Sequence, residues 1–187
     1  MKTALITGGS KGIGKAIKEE LEKQGIKVIS WSKSEGQDLM IKNPILPKID
    51  ILINNVGGMG TSEYEDSDEC MEKNFGIMKR LIHQYLEQKS NRDYGRVITI
   101  ASIYGTYPGE NPWFSASKAA QIMYMRSMAK KKLGITFNCV SPTEVADAGT
   151  PKKVKLKSKD IAKLVAFLCS DDAEFINGQN IVIGEYK

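Results

Sequence analysis

The chain of 187 residues is long enough for one well-cored domain and short for two. Its 41% apolar and 26% charged residues are typical of a globular protein, and no apolar run approaches the roughly 20 residues that span a bilayer. The net charge of +5 fits a nucleic-acid-binding domain, but no basic-aromatic alternation or nucleic-acid motif accompanies it, so we expect no nucleic-acid partner.

The cysteines and the N-terminal residues indicate the cellular compartment of the protein. Cys70, Cys139 and Cys169 are odd in number and form no CxxC pair, which suits a reducing compartment without a disulfide framework or a zinc site. The N-terminal MKTALITGG runs from a short apolar stretch directly into glycines, unlike a signal peptide. We therefore expect a cytoplasmic protein with no membrane association and no metal site.

Short apolar runs alternate with helical patterns along the chain. Residues 2–7 predict a first strand, and a glycine-rich turn then leads into a helix that ends at Gly25. Further strands are predicted at 26–31, 49–55, 96–102, 135–141 and 180–184, and helices at about 67–90, 112–132 and 159–169. This alternation predicts one α/β/α domain over residues 1–187, with a parallel sheet covered by helices on both faces.

The turn TGGSKGIG after the first strand predicts a phosphate-binding loop. Gly8, Gly12 and Gly14 have the spacing GxxxGxG, which lets the backbone approach a pyrophosphate at the N-terminus of a helix. The alternative is a purely structural strand-to-helix turn. The position of the loop directly after the first strand favours the phosphate site.

Seven short motifs follow one another in an order that resembles the short-chain dehydrogenase/reductase family along most of the chain. They are TGGSKGIG, NNVG at 54–57, Asn74 in MEKNFG, Ser102 at the end of RVITIAS, FSASKAA from Phe114, SPTEV at 141–145 and INGQNIVI. The resemblance implies a Rossmann-type, doubly wound parallel sheet of order 3-2-1-4-5-6-7. It also implies a nicotinamide dinucleotide as cofactor, a small-molecule carbonyl or alcohol as substrate, and a homodimer or homotetramer.

The resemblance assigns cofactor binding to residues in six segments of the chain. They are Gly8, Ser10, Lys11, Gly12, Ile13 and Gly14; Ser32 and Lys33; Asp38 and Leu39; Asn55, Val56 and Gly57; Lys118; and Pro142 and Val145. The second strand ends without the acid that binds the ribose hydroxyls of NAD. Because Lys11 and Lys33 together can neutralise a 2′-phosphate, NADP(H) is favoured over NAD(H).

Two departures from the family pattern are deletions. Only the segment 32–48 separates the second strand from the next one, so the third strand of the pattern is expected to be vestigial, with Asp38 and Leu39 retaining the adenine site. Between Val145 and Asp160 a short loop stands where the family has a helical lid. This loop contains Lys152, Lys153, Lys155, Lys157 and Lys159. These lysines either form a solvated surface or indicate an anionic substrate, such as a nucleotide-linked sugar or an acyl thioester.

The third departure is at the proton donor. In the family mechanism a tyrosine hydroxyl exchanges a proton with the substrate oxygen, and a lysine lowers its pKa and binds the nicotinamide ribose. A serine bonds the substrate oxygen, and the asparagine helix holds a relay water. The resemblance gives these last three roles to Lys118, Ser102 and Asn74, but Phe114 stands in the place of the tyrosine.

Three explanations of Phe114 stay open. The first is an engineered Tyr→Phe change in a working enzyme. The second is a natural enzyme with another acid, for which Tyr104 and Tyr107 are the candidates, unless they only line the substrate pocket or the surface. The third is a natural NADPH-binding sensor or scaffold without turnover.

Overall fold

The computed structural model describes residues 1–58, 67–89, 94–131, 134–146 and 154–185. The strands are β1 (Thr3–Thr7), β2 (Lys27–Trp31), β3 (Ile51–Asn54), β4 (Gly95–Ile100), β5 (Ile135–Pro142) and β6 (Asn180–Ile183). The helices are α1 (Gly12–Lys23), α2 (Ser67–Met71), α3 (Ile77–Glu87), α4 (Pro112–Ala129) and α5 (Ser158–Leu168). Short 3-10 turns cover Lys33–Glu35, Ile103–Gly105 and Asp171–Ala173.

The strands form one parallel sheet in the order β2-β1-β3-β4-β5-β6, which confirms the doubly wound α/β prediction. It is the order expected from the family pattern with the third strand removed. The segment from Trp31 to Ile51 holds a 3-10 turn and irregular chain but no strand, so the vestigial strand is reduced to none. As a result β2 forms one edge of the sheet.

Helices cover both faces of the sheet, because alternate strand residues point to opposite sides. Leu5, Leu52 and Val97 pack in one core with buried residues of α3 and α4. Ile6 and Ile53 pack in the other core with residues of α1 and α5. Strands β3, β4 and β5 are buried along their whole lengths, as the predicted three-layer arrangement requires.

The helix predicted over 67–90 is not continuous. A π-helical turn at Glu72–Gly76 separates α2 from α3 and places Asn74 at its centre. Such turns free a backbone carbonyl from the regular helical hydrogen bonds, and they occur frequently at functional sites. The other two predicted helices agree with α4 and α5 to within a few residues at each end.

No helix in the described ranges is long and apolar enough to cross a membrane. Within the same ranges, no cluster of three or more His, Cys, Asp or Glu side chains is arranged to hold a metal ion. The three cysteines are free and buried.

Candidate active site

A cavity of about 1220 Å³ runs along the edge of the sheet where the strands end. The loops after five parallel strands and the first turns of α4 form its wall, which is the usual position for a ligand in an open parallel sheet. Most of the residues predicted from the sequence line it. These are Gly8, Ser10, Lys11, Gly12, Ile13, Gly14, Ser32, Lys33, Asn55, Val56, Gly57, Ser102, Phe114, Lys118, Pro142 and Val145.

The glycine loop is fixed by contacts that leave no room for side chains. A Cβ on Gly14 would lie 2.1 Å from the Gly8 carbonyl oxygen and 2.6 Å from Nδ2 of Asn55. Gly8 has φ +70°, a conformation that favours glycine. Asn55 Nδ2 donates to the carbonyls of Thr7, at 2.9 Å, and Gly8, at 3.2 Å, and so joins the loops after β1 and β3.

The N-terminus of α1 opens into this loop without a side-chain cap. The helix begins at Gly12, and the preceding Lys11 makes no capping hydrogen bond to it. The first backbone N–H groups of a helix carry partial positive charge and need partners from outside the helix. Because the loop lines the cavity, these groups suit an anionic ligand.

The two lysines predicted to neutralise a 2′-phosphate differ in their surroundings. Lys33 Nζ lies 3.2 Å from the carboxylate of Asp38. The Met40 backbone N–H and then Lys33 lower the pKa of Asp38, which keeps this carboxylate charged. Lys11 is exposed and has no ion pair with any residue in the described part of the chain. Asp38 and Leu39 line a neighbouring cavity of about 330 Å³, which also contacts Lys33 and Val56.

Phe114 and Lys118 share one face of α4 at the other end of the main cavity. Asn111 caps the helix, since its side-chain oxygen accepts a hydrogen bond from the Phe114 backbone N–H at 2.8 Å. Lys118 Nζ lies 5.4 Å from the centre of the Phe114 ring, within the range of a cation–π contact. It donates to the carbonyl of Ile100, the last residue of β4 and two residues before Ser102, at 3.1 Å.

Lys118 is a buried amine. The residue is only 4% exposed, and no described carboxylate forms an ion pair with it. Desolvation by burial lowers its pKa to about 8, against the opposing effect of Cys139 and Cys70. The amine therefore changes its charge close to neutral pH, in a cavity wall with Ser102.

This lowered pKa predicts a rise in stability with pH. Between the folded pKa of about 8 and pH 9 the unfolded chain keeps a proton on Lys118 that the folded chain releases, so the free energy of unfolding rises. We expect a rise of roughly 1 kcal/mol over that unit relative to the variant Lys118→Met. Urea denaturation at several pH values measures it, with the exposed Lys79→Met as control.

Above pH 9 the buried thiols oppose this effect. Burial raises the pKa of Cys139 and Cys169 to about 12, so the unfolded chain loses thiol protons that the folded chain keeps. The comparison with Lys118→Met cancels this contribution. The same pH slope in both proteins would show that Lys118 does not titrate in this range.

Asn74 lies behind the cavity wall, at 0% exposure. Its side-chain oxygen accepts from the Gly58 N–H at 3.1 Å, and its Nδ2 donates to the carbonyls of Gly58 and Cys70, both at 3.0 Å. Its own carbonyl accepts from Gln121 Nε2 at 2.5 Å. Asn74 therefore fixes the loop after β3, and the predicted relay water stays a prediction.

The two tyrosines that are candidate substitute acids line a cavity other than the main one. Tyr104 and Tyr107 line a cavity of about 500 Å³ that, among the described residues, shares only Thr143 with the main cavity. Both are partly exposed, at 43% and 42%. Of the loop lysines, Lys152 and Lys153 lie outside the described residues, and Lys155 forms an ion pair with Glu185 at 3.1 Å. Lys157 and Lys159 are exposed.

Residues 2–43 and 41–158 match the model of the family described as short chain dehydrogenase. The chain belongs to this family of oxidoreductases. It is 31% identical to the 3-oxoacyl-(acyl-carrier-protein) reductase of Escherichia coli, over 96% of this chain and 94% of that protein. It is 32% identical to the corresponding reductase of Haemophilus influenzae, over 96% and 95%.

Solved structures of short-chain dehydrogenases have the same fold. A short chain dehydrogenase from Burkholderia cenocepacia in complex with NADP superposes with a TM-score of 0.82 at 23% identity, covering 98% of this chain and 96% of that one. An oxidoreductase of the family from Burkholderia thailandensis gives 0.83 at 20% identity, covering 98% and 91%. The fold is thus kept although the sequences differ widely.

Several residues of the cavity wall were not predicted from the sequence. They are Ser34, Gly58, Lys73, Ile100, Ala101 and Thr143. All except Ser34 are next to, or inside, a short-chain dehydrogenase motif, which was the available signal, and Ser34 follows the predicted Ser32 and Lys33. Lys73 is notable because it lines both the main cavity and the one beside Asp38, and has no ion pair within the described residues.

Proposed function

We propose that this chain binds NADP(H) and exchanges hydride between the nicotinamide and a carbonyl or alcohol substrate, with impaired turnover because Phe114 occupies the place of the proton donor. One observation carries the proposal. A single cavity connects the uncapped glycine loop with Ser102, Phe114 and Lys118, so one extended ligand reaches both ends.

The residues present fit a dinucleotide. The Gly8–Gly14 loop leaves backbone exposed where a Cβ would collide, which suits a pyrophosphate. Gly57 is also constrained, since its Cβ would lie 2.5 Å from Asn74 Oδ1 and 3.2 Å from Lys118 Nζ. The adenine of the dinucleotide would lie beside Asp38 and Leu39. The rest of the dinucleotide would contact Asn55, Val56, Pro142 and Val145. When bound, the nicotinamide supplies or accepts the hydride.

Lys11 supports the preference for NADP(H) over NAD(H). It is a cation at the loop with no carboxylate partner in the described ranges, and it lines the cavity beside Ser32 and Lys33. A 2′-phosphate carries charge that these side chains would bind. The NADP complex of the similar Burkholderia cenocepacia enzyme supports the same choice.

We propose an acyl thioester carrying a 3-oxo group as the substrate class. The similar reductases of Escherichia coli and Haemophilus influenzae act on 3-oxoacyl groups of acyl carrier protein. The cavity of about 500 Å³ that meets the main one at Thr143 has an apolar and aromatic side, which includes Ile103, Tyr104 and Tyr107, beside a charged side of Glu144, Lys155 and Glu185. An acyl chain suits the apolar side better than a nucleotide-linked sugar does.

Each polar group at the reaction end has a defined task in this proposal. Ser102 donates a hydrogen bond to the substrate oxygen. Lys118 holds the nicotinamide ribose and adds positive charge beside the oxygen where negative charge develops. Phe114 keeps the shape of the site but offers no proton, which costs about 10²- to 10⁴-fold in rate.

Phe114 also favours a second candidate, a cofactor-binding sensor or scaffold without turnover. In both cases we propose one domain over residues 1–187 that acts in the cytoplasm as a homodimer or homotetramer. The homo-oligomer is what the resemblance to the family implies.

The test measures NADPH binding and turnover separately. We expect NADPH to bind, as followed by nicotinamide fluorescence, and to be oxidised slowly in the presence of 3-oxoacyl thioesters. Neutral ketones of similar size are the comparison substrates. A chain that binds neither NADPH nor NADH would refute the proposal, and binding without any turnover would favour the sensor or scaffold.

A further inference from the structure

The fold brings a carboxylate to the end of β2, where the sequence pattern has none. Glu35 ends the 3-10 turn Lys33–Glu35, and its Oε2 accepts hydrogen bonds from the hydroxyls of Ser32, at 2.5 Å, and Ser30, at 2.7 Å. Gly36 follows with φ +81°, and the Gln37 N–H donates to the Ser32 carbonyl at 2.9 Å. This tight reversal turns the Glu35 side chain back onto the strand.

Ser32 lies between this carboxylate and the main cavity. Its side chain lines the cavity together with Ser34 and with Lys33, one of the two lysines predicted to neutralise a 2′-phosphate. Ser30 packs directly against the glycine loop, since a Cβ on Gly9 would approach the Ser30 hydroxyl. The carboxylate is therefore one hydrogen bond away from the proposed phosphate site.

Glu35 carries its charge at neutral pH. The hydrogen bond from Ser32, and next the one from Ser30, lower its pKa, and Lys18 contributes further. The hydroxyl proton of Ser32 is already donated to this carboxylate. An incoming phosphate would have to share that proton or compete for it.

The positive charge beside Glu35 is smaller than the sequence indicates. Lys33 is paired with Asp38 at 3.2 Å, so among the described lysines that line the cavity at the glycine loop and the end of β2, Lys11 is the one without an ion pair. Lys73 lies on the wall shared with the neighbouring cavity. A 2′-phosphate would thus meet one unpaired lysine and one carboxylate held in place by two serines.

We propose that Glu35 determines cofactor selectivity by weakening the preference for NADP(H), so that the chain also accepts NAD(H). Like charges close together repel, and the Ser32 donor is engaged. A ribose with a free 2′-hydroxyl carries no charge, so it is not repelled by Glu35 and does not compete for the Ser32 proton. This inference rests on the proposed dinucleotide-binding function.

The test compares dissociation constants for NADPH and NADH in the unmutated chain and in Glu35→Gln. The amide keeps the size of the side chain and removes its charge. We expect NADPH to bind about fivefold more tightly at low salt, and NADH to change less than about twofold. Glu22→Gln removes the same charge from an exposed position at the far end of α1 and serves as the matched control.

A second variant tests the role of the serine contacts. Ser30 does not line the cavity, so Ser30→Ala loosens the carboxylate without removing a group predicted to bind phosphate. We expect Ser30→Ala to tighten NADPH binding as well, but by less than Glu35→Gln does. The two changes together should give less than the sum of their separate effects, because they act on one interaction.

Each outcome decides one question. An unchanged NADPH-to-NADH ratio in Glu35→Gln, with both nucleotides still bound, would refute the role of Glu35 and leave the proposed function intact. Weaker binding of NADPH in that variant would show that Glu35 supports the phosphate site, which also refutes the inference. Failure of the unmutated chain to bind either nucleotide would refute the proposed function and this inference with it.

Discussion

We expect Phe114→Tyr to raise carbonyl reduction by about 100-fold or more. The substitution adds one hydroxyl to a ring that already lines the cavity. The Asn111 cap and the neighbouring Lys118 hold the start of α4, so the ring keeps its place. The ammonium 5.4 Å from the ring centre would lower the pKa of the new phenol and make it a better acid at neutral pH.

Steady-state NADPH oxidation with 3-oxoacyl thioesters measures this effect. Phe175→Tyr adds the same hydroxyl at a position that is 91% exposed, and it should leave the rate unchanged. Equal activity of Phe114→Tyr and the unmutated chain would indicate a substitute acid. Tyr104 and Tyr107 would be the next residues to change, although they line the adjacent cavity.

An inactive Phe114→Tyr variant that still binds NADPH would have a different meaning. With substrates of several carbonyl classes tested, it would favour the sensor or scaffold. A large gain would instead identify the unmutated chain as the disarmed form of a reductase. The activity of Phe114→Tyr relative to the unmutated chain therefore distinguishes between the explanations of Phe114.

Gly14→Ala is expected to have the second largest effect, on cofactor binding. The new Cβ would lie 2.1 Å from the Gly8 carbonyl oxygen, which is backbone and cannot rotate away. The loop must shift by about an ångström, and displacements of this size in a binding site cost up to about 100-fold. We also expect the free energy of unfolding to fall by about 1 to 3 kcal/mol because of overpacking.

NADPH titration and urea denaturation of the same variant measure the two effects. Gly25→Ala is the matched control, because Gly25 ends α1 with φ +76° and has no atom within 4 Å of its ideal Cβ position. It should lose about 1 kcal/mol of stability through backbone strain and keep its affinity for NADPH. Unaltered NADPH affinity in Gly14→Ala would contradict a pyrophosphate site at this loop.

The sequence alone was sufficient for the sheet and for most of the cavity wall. Alternating apolar strands and amphipathic helices are local patterns, and parallel strands joined by helices place the ends of all strands at one edge. Gly8, Ser102 and Lys118, which the family resemblance assigned to one site, are far apart along the chain and line one cavity in the fold. The missing third strand followed from the shortness of the segment before Ile51.

Only the tertiary structure decided how the side chains are paired. The positive φ of Gly36 turns Glu35 back onto Ser30 and Ser32, and no spacing rule in the sequence indicates that reversal. The π-helical turn similarly places Asn74 behind the wall. Periodicity reports which face of an element is buried, whereas hydrogen bonds depend on backbone angles within single turns. The residue types at this site are therefore readable from the sequence, and the balance of charge around the cofactor is set by the fold.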